Sequence, residues 1–193
     1  HEHPTVVKAS QQQAAILNTN SRYLHENINL LAQEILDTLP PELSVVHFVN
    51  SGSEANELAI RMAKTVTGKQ DVIASEVGYH GNTNTCVAIS SYKFDGKGGK
   101  GAPAHTHIFP LPDTFRGKYS GENASLHYAE EVQKCIDRIH KRGDGVSALI
   151  VEPIISCGGQ IELPEGFLSM AYTAIRKAGG VCISDEVQLG CGR

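Results

Sequence analysis

Apolar positions along the chain alternate between two periods, and the alternation predicts helices separated by strands. Residues 26–38, "ENINLLAQEILDT", place Ile28, Leu31, Ile35 and Leu36 on one helical stripe that Pro40 and Pro41 terminate. The run "SVVHFVN" at 44–50 is β-branched and aromatic and predicts a strand. A helix then starts at the Ser51-Gly52-Ser53 corner. Its Ala55, Leu58, Ala59, Met62, Ala63 and Val66 recur at helical spacing, and Gly68 stops it.

Further on, "DVIASE" (71–76) predicts a short strand and "YHGNTNT" (79–85) a turn entering a helix. Residues 93–106 form a Gly/Lys-rich surface loop, and "HIFPLP" (107–112) is extended but broken by prolines. Residues 125–142 predict a helix with Tyr128, Val132, Cys135, Ile136 and Ile139 inward. "VSALIVEPI" (146–154) is almost continuously apolar, as a strand covered on both faces must be. A helix near 166–178 leads through Gly179-Gly180 to a last strand, "VCISDEV" (181–187).

Strands separated by helices imply an α/β architecture with a largely parallel sheet flanked by helices. Ligands of such sheets lie outside the carboxyl ends of the strands. Four groups fall at strand ends here: Ser51-Gly52-Ser53, Tyr79-His80-Gly81, Glu152-Pro153 and Asp185 to Gln188. That coincidence predicts one site.

Composition adds exclusions. The chain has 193 residues, 40% of them hydrophobic, enough for a core. A net charge of −4 offers no footprint for nucleic acid or an anionic membrane, and no apolar run approaches a membrane span. Five scattered cysteines without a C-x-x-C pair point to reduced thiols in a cytosol-like compartment. Nine histidines, including His105 and His107, lack Cys or carboxylates at ligand spacing, so no metal is expected. Both ends, "HEHP" and "GCGR", read as cut from a longer chain.

The chemistry concentrates at two places. Gly52 permits close backbone approach, Ser51 with Glu54 fits a capping box, and the first-turn N–H groups suit a phosphate. A plain helix cap explains the same residues. Asp185 ends an apolar strand, where an ionised carboxylate needs a cationic or hydrogen-bonding partner. A protonated heteroaromatic nitrogen would serve, as would a local Arg or backbone. Tyr79 offers a flat face for such a ring, or simple core packing. "GKGGKG" (96–101) has dinucleotide-turn spacing but neither follows a strand nor opens a helix, so it reads as a basic loop.

Together, "NSGSEANELAIRMAK", "YHGNT", "VEPI" and "SDEVQLGCGR", in this order, resemble the class-III (ω-)aminotransferases, enzymes of PLP-dependent transferase fold type I. "HPTVVKA" (3–9) is similar to that family's N-terminal region. "LNTNSRYLHENI" (17–28), "PDTFRGKY" (112–119) and "SCGGQIELPEGF" (156–167) resemble its ethanolamine-phosphate and 5-phosphohydroxylysine phospho-lyase branch.

The resemblance implies pyridoxal 5'-phosphate (PLP) as cofactor and a homodimer acting on a small phosphorylated amine or amino acid. The cytoplasm is implied, with the mitochondrial matrix as the alternative. It further implies that Gly52 and Ser53 bind the PLP phosphate, and that Tyr79 and Val187 cover the two ring faces. Asp185 would pair with the pyridine nitrogen, Gln188 would bond near the phenolic oxygen, and Glu152 would orient the surroundings. Residues 1–40 would lead into a PLP-binding large domain at 41–193. The family's Schiff-base lysine falls downstream of "DEVQ", beyond Arg193, and no lysine present matches its context. Elimination of phosphate, amino transfer and a catalytically silent fragment are the three activities this leaves open.

Overall fold

A computed structural model of the protein describes residues 1–192. The chain divides into two compact units, His1–Phe48 and Val49–Arg193.

The first unit holds two helices. Helix α1 (Pro4–Ile16) begins with Pro in its first turn, where a missing N–H is harmless. Its apolar residues form no helical stripe, which is why periodicity does not reveal it. Helix α2 (Glu26–Leu36) is capped by His25, whose Nδ1 accepts from Asn27 N–H at 3.2 Å. Of its expected stripe, Ile35 and Leu36 are half-buried, whereas Ile28 and Leu31 are exposed. The expected strand at 44–50 does not form. Val45 is 73% exposed and among the described residues no strand pairs with this segment, so β propensity alone does not make it a strand.

The second unit opens with helix α3 (Gly52–Thr67), closed at Gly68 in the left-handed region (φ 66°). Next come strand β1 (Asp71–Ser75), two short helices α4 (Asn84–Ala88) and α5 (Ser91–Phe94), and strand β2 (Thr106–Phe109). Helix α6 (Ala124–Lys141) precedes strand β3 (Val146–Val151) and a small antiparallel pair, β4 (Ile154–Ile155) and β5 (Ile161–Glu162). The predicted strand 146–154 thus ends at Val151, where Glu152-Pro153 breaks the ladder. Helix α7 (Phe167–Lys177), strand β6 (Val181–Ser184) and a 3-10 turn at Gly190–Gly192 complete the described chain.

The sheet is parallel, in the order β2-β1-β3-β6. Every residue of β1 and β3 is buried, because helices cover both faces. Side chains of β1 and β3 alternate between two cores. Ile73, Leu149 and Val151 join Tyr128, Val132, Cys135, Ile136 and Ile139 of α6 with Phe167, Ala171 and Ile175 of α7. Val72, Ala74, Ala148 and Ile150 meet Ile60 and Ala63 of α3 on the other face. Each fully buried Ile or Leu removed from water contributes about 1.5–3 kcal/mol.

Helix α3 is rotated from the expected stripe. Asn56, Ile60 and Ala63 face inward, while Met62 (49%) and Val66 (75%) are exposed. The expected stripe therefore meets the core only at Ala63, with Leu58 and Ala59 half-buried, and a polar residue, Asn56, occupies an inner position that contacts Asp185.

Two charged clusters brace the sheet away from those ends. Asp71 Oδ1, at the amino end of β1, contacts His107 Nε2 (2.7 Å) and Arg142 (2.5 Å), and Oδ2 contacts His105 Nδ1 (3.3 Å). Glu131 Oε1 on α6 accepts from Tyr119 OH (2.7 Å), Lys118 Nζ and Lys134 Nζ (both 2.9 Å). These hydrogen bonds, Tyr119 first, lower the Glu131 carboxyl from 4.5 to about 2. Its stabilisation is complete above the unfolded value and is lost as pH falls through the folded one. With both lysines half-exposed and screened, we expect the network to contribute about 1–2 kcal/mol. Denaturant titrations of the wild type and Glu131→Gln should differ by that amount at neutral pH and converge between about pH 4.5 and 2.

Candidate active site

The carboxyl ends of β1, β3 and β6 meet the amino end of α3 around an open cleft of about 490 Å³. The cleft is concave and lined by a few convergent polar groups, as small-molecule and cofactor sites are. All seven residues singled out from the sequence line it: Gly52, Ser53, Tyr79, Glu152, Asp185, Val187 and Gln188.

The α3 corner is built by local chemistry. Ser51, extended at φ −159°, caps the helix with its Oγ accepting from Glu54 N–H at 3.1 Å. Glu54 Oε2 reaches back to Asn50 N–H (2.6 Å), one residue before the position a standard capping box engages. Among the described residues no acceptor faces the Gly52 and Ser53 N–H groups, and the helix dipole is positive there. A side chain at Gly52 would force Val187 to shift, since a Cβ would lie 2.4 Å from Val187 Cγ2. Ser53 Oγ accepts from Asn82 N–H at 3.0 Å, which leaves its own proton to donate. Gly81 (φ 126°) permits this approach; a Cβ there would sit 2.5 Å from Ser53 Oγ.

Asp185 lies just past β6 and is 6% exposed. Its backbone N–H donates to Val151 O at 2.9 Å, continuing the ladder and fixing the carboxylate at the strand end. Oδ2 accepts from Asn56 Nδ2 and contacts His80 Nδ1, both at 2.8 Å, and Oδ1 accepts from Val187 N–H at 3.2 Å. Burial pushes the carboxyl pKa up, but His80, the Val187 N–H and Asn56 outweigh it and hold the group below its ordinary value. A negative charge is thus kept at the cleft floor. Among the described residues no Arg supports it; a histidine, a side-chain amide and the Val187 N–H do.

Asn56 lies four residues, about 6 Å of helix rise, along α3 from Gly52, and its amide reaches Asp185, so the anion-binding corner and the carboxylate line one cleft. The cleft thus presents anion-binding N–H groups and an anionic carboxylate together, a pairing that suits one molecule with an anionic tail and a cationic ring end.

Glu152, just past β3, ties two loops together. Oε1 accepts from Tyr79 N–H (3.0 Å), while Oε2 accepts from Ser156 N–H (3.1 Å) and Ser156 Oγ (2.6 Å). The Tyr79 ring stacks edge-on with Tyr92, centroids 6.0 Å apart, and Lys93 Nζ lies 5.4 Å from it. Val187 is 59% exposed at the opposite side of the entrance, next to exposed Gln188. Arg193, which ends the last motif, lies outside the described residues.

Sequence reading did not assign roles to Asn56 or His80. Asn56 sits within an apolar helical pattern, and only a buried polar residue on a helix facing a carboxylate would have marked it. His80 was noted at a strand end, but nothing in sequence places it against a residue 105 positions away.

Residues 1–193 match the aminotransferase class-III family. The chain is 42% identical over 198 residues to the alanine–glyoxylate aminotransferase 2-like protein of Drosophila melanogaster, covering all of this chain and 40% of that protein. It is 39% identical over 204 residues to ethanolamine-phosphate phospho-lyase homolog 1 of Caenorhabditis elegans, covering 44% of it. Among solved structures it superposes on a phospholyase from Arthrobacter in complex with phosphoethanolamine, with a TM-score of 0.88 and 34% identity. That match covers all of this chain and 45% of that one. The chain thus spans less than half the length of these relatives. Matched from residue 1 to residue 193, it belongs to the class-III aminotransferases, PLP-dependent enzymes of transferase fold type I.

Proposed function

We propose that the protein containing this chain is a PLP-dependent phospho-lyase that eliminates phosphate from the carbon next to that bearing a primary amine, the resulting enamine then being hydrolysed by water to an aldehyde and ammonia. The observation that carries the cofactor assignment is the buried, ionised Asp185 in one cleft with the open amino end of α3. The phospho-lyase branch is supported by "PDTFRGKY" and "SCGGQIELPEGF", and by relatives whose names include that activity.

In this reading Gly52 and Ser53 hold the cofactor phosphate with backbone N–H groups and the Ser53 hydroxyl. Tyr79 and Val187 cover the two faces of its ring, Gln188 bonds near the phenolic oxygen, and Asp185 retains a proton on the pyridine nitrogen. Glu152 fixes Tyr79 by its main chain. When bound, PLP supplies an electron sink for the carbanion formed beside the substrate nitrogen. Residues 41–193 form the cofactor-binding part and residues 1–40 lead into it, in a homodimer of the cytoplasm or mitochondrial matrix. The proton abstraction from substrate falls to a lysine outside this chain.

Incubation of the full-length protein with phosphoethanolamine or 5-phosphohydroxylysine should release inorganic phosphate. Phosphate at background, with robust amino transfer to pyruvate or 2-oxoglutarate, would establish the transaminase reading instead. The similarity to an alanine–glyoxylate aminotransferase 2-like protein favours that alternative.

The corner makes a separate prediction. In Gly52→Ala the added methyl must displace Val187, and because that side chain is largely exposed the cost falls at the low end of overpacking, about 1 kcal/mol, or about fivefold in the Kd for PLP. Spectrophotometric PLP titration, with far-UV circular dichroism unchanged, measures it.

A further inference from the structure

Behind the cleft floor, Ser75 Oγ and His80 Nε2 are both buried without a partner among the described residues. Buried polar atoms are almost always satisfied by protein or by ordered water. These two atoms flank the same residue. A Cβ on Gly78 would lie 2.9 Å from Ser75 Oγ, 3.1 Å from the Ser75 carbonyl oxygen and 3.3 Å from His80 Nε2. All three neighbours are polar, so the two unpartnered atoms and the Ser75 carbonyl converge on the same side of Gly78.

The turn that produces this arrangement is held against its own preference. Val77 adopts φ 53°, a costly conformation for a β-branched residue, and its N–H donates to Ser91 Oγ at 2.6 Å. His80 N–H donates to Ser90 Oγ at 2.8 Å. Both hydroxyls of α5 and its cap thus fix the segment that aims His80 inward.

We propose that Ser75 is a positioning residue for Asp185, acting through one buried water that joins its hydroxyl to His80 Nε2. An ionised carboxylate only accepts, so His80 Nδ1 carries the proton it directs at Asp185 Oδ2. In the proposed arrangement the ring holds a single proton, at Nδ1, and Nε2 accepts. The water donates to Nε2 and to the Ser75 carbonyl and accepts from the Ser75 hydroxyl, three bonds, as buried waters commonly make. The bridge favours the tautomer that faces Asp185 with a proton. In the other tautomer a nitrogen lone pair would oppose the carboxylate. Gly78 is part of the device, because a Cβ there would crowd Ser75 Oγ and His80 Nε2. The effect on cofactor binding rests on the pairing of Asp185 with the pyridine nitrogen; the state of His80 does not.

The test uses the full-length protein labelled with 15N-histidine, with the His80 signals assigned by their loss in His80→Gln. In the wild type His80 should be protonated at Nδ1, with Nε2 shifted by an accepted hydrogen bond. Ser75→Ala, which removes one oxygen and keeps the strand, should move the Nε2 signal toward its unbonded position and populate the other tautomer. PLP should also dissociate about fivefold faster, the loss of one hydrogen bond. Ser75→Thr, which keeps the hydroxyl, should restore both. Identical His80 ring signals in the wild type and Ser75→Ala, or no restoration by Thr, would overturn the proposal. A protein that takes up no PLP while Ser75→Ala still moves the His80 signals would refute the cofactor assignment and uphold the bridge.

Discussion

Replacing Asp185 by Asn in the full-length protein is expected to lower kcat/KM by about two to four orders of magnitude without unfolding it. The substitution keeps the shape of the side chain and removes its charge. Asn56 and His80 both aim donors at Oδ2, so the amide that replaces the carboxylate must turn its oxygen toward them. Its NH2 group then takes the place of Oδ1, beside Val187 N–H and the cleft. A cationic ring nitrogen at that position would face a donor instead of an anion. Breaking a buried ion pair by removing one partner costs about 3–5 kcal/mol, which corresponds to the stated loss in rate. Steady-state kinetics with the accepted amine measure it, and a variant within tenfold of the wild type would contradict the pairing. Because the Asp185 carboxyl is held below its ordinary value, its charge persists in mild acid. Its stabilising contribution is present above the ordinary carboxylate value and disappears only as pH falls through the lower, folded one.

The elements were legible where a single physical cause sets the pattern. Residues 146–151 are apolar without alternation because helices cover both faces, and α6 shows its stripe because one face alone meets the sheet. The site residues at strand ends were legible for a related reason: a parallel sheet collects ligands there, and Ser51, Gly52 and Asp185 have no apolar rationale. Misreadings arose where tertiary context overrides local pattern. The segment 44–50 has strand-forming residues but no partner strand among the described residues, and α3 carries an apolar stripe that meets the core only at Ala63. The support of Asp185 was hidden for the same reason. Asn56 and His80 are 129 and 105 residues from it in sequence, and only folding brings their donors to 2.8 Å.

Truncating Glu152 to Ala tests whether the cleft is held from behind as well as lined. One carboxylate accepts three hydrogen bonds, from Tyr79 N–H, Ser156 N–H and Ser156 Oγ, and the residue is 4% exposed. Water can reach some of the abandoned donors, since Tyr79 and Ser156 are half-buried, so the three losses are not paid in full. A charge-assisted hydrogen bond is worth about 1.5–3 kcal/mol, and with partial rehydration the expected loss of stability is about 3 kcal/mol. The urea midpoint should fall with no change in slope. Glu152→Gln should be intermediate, because its amide oxygen can serve Tyr79 or Ser156 but its NH2 must then oppose the other N–H. Releasing the Tyr79 main chain also frees the ring that flanks the cleft, so PLP affinity should fall in the same order, wild type above Gln above Ala. If Ala loses stability while its PLP affinity stays at the wild-type value, Glu152 braces the strand ends and does nothing for the ligand. A parallel loss of both would mean that the loops it joins and the aromatic face of the cleft move as one piece.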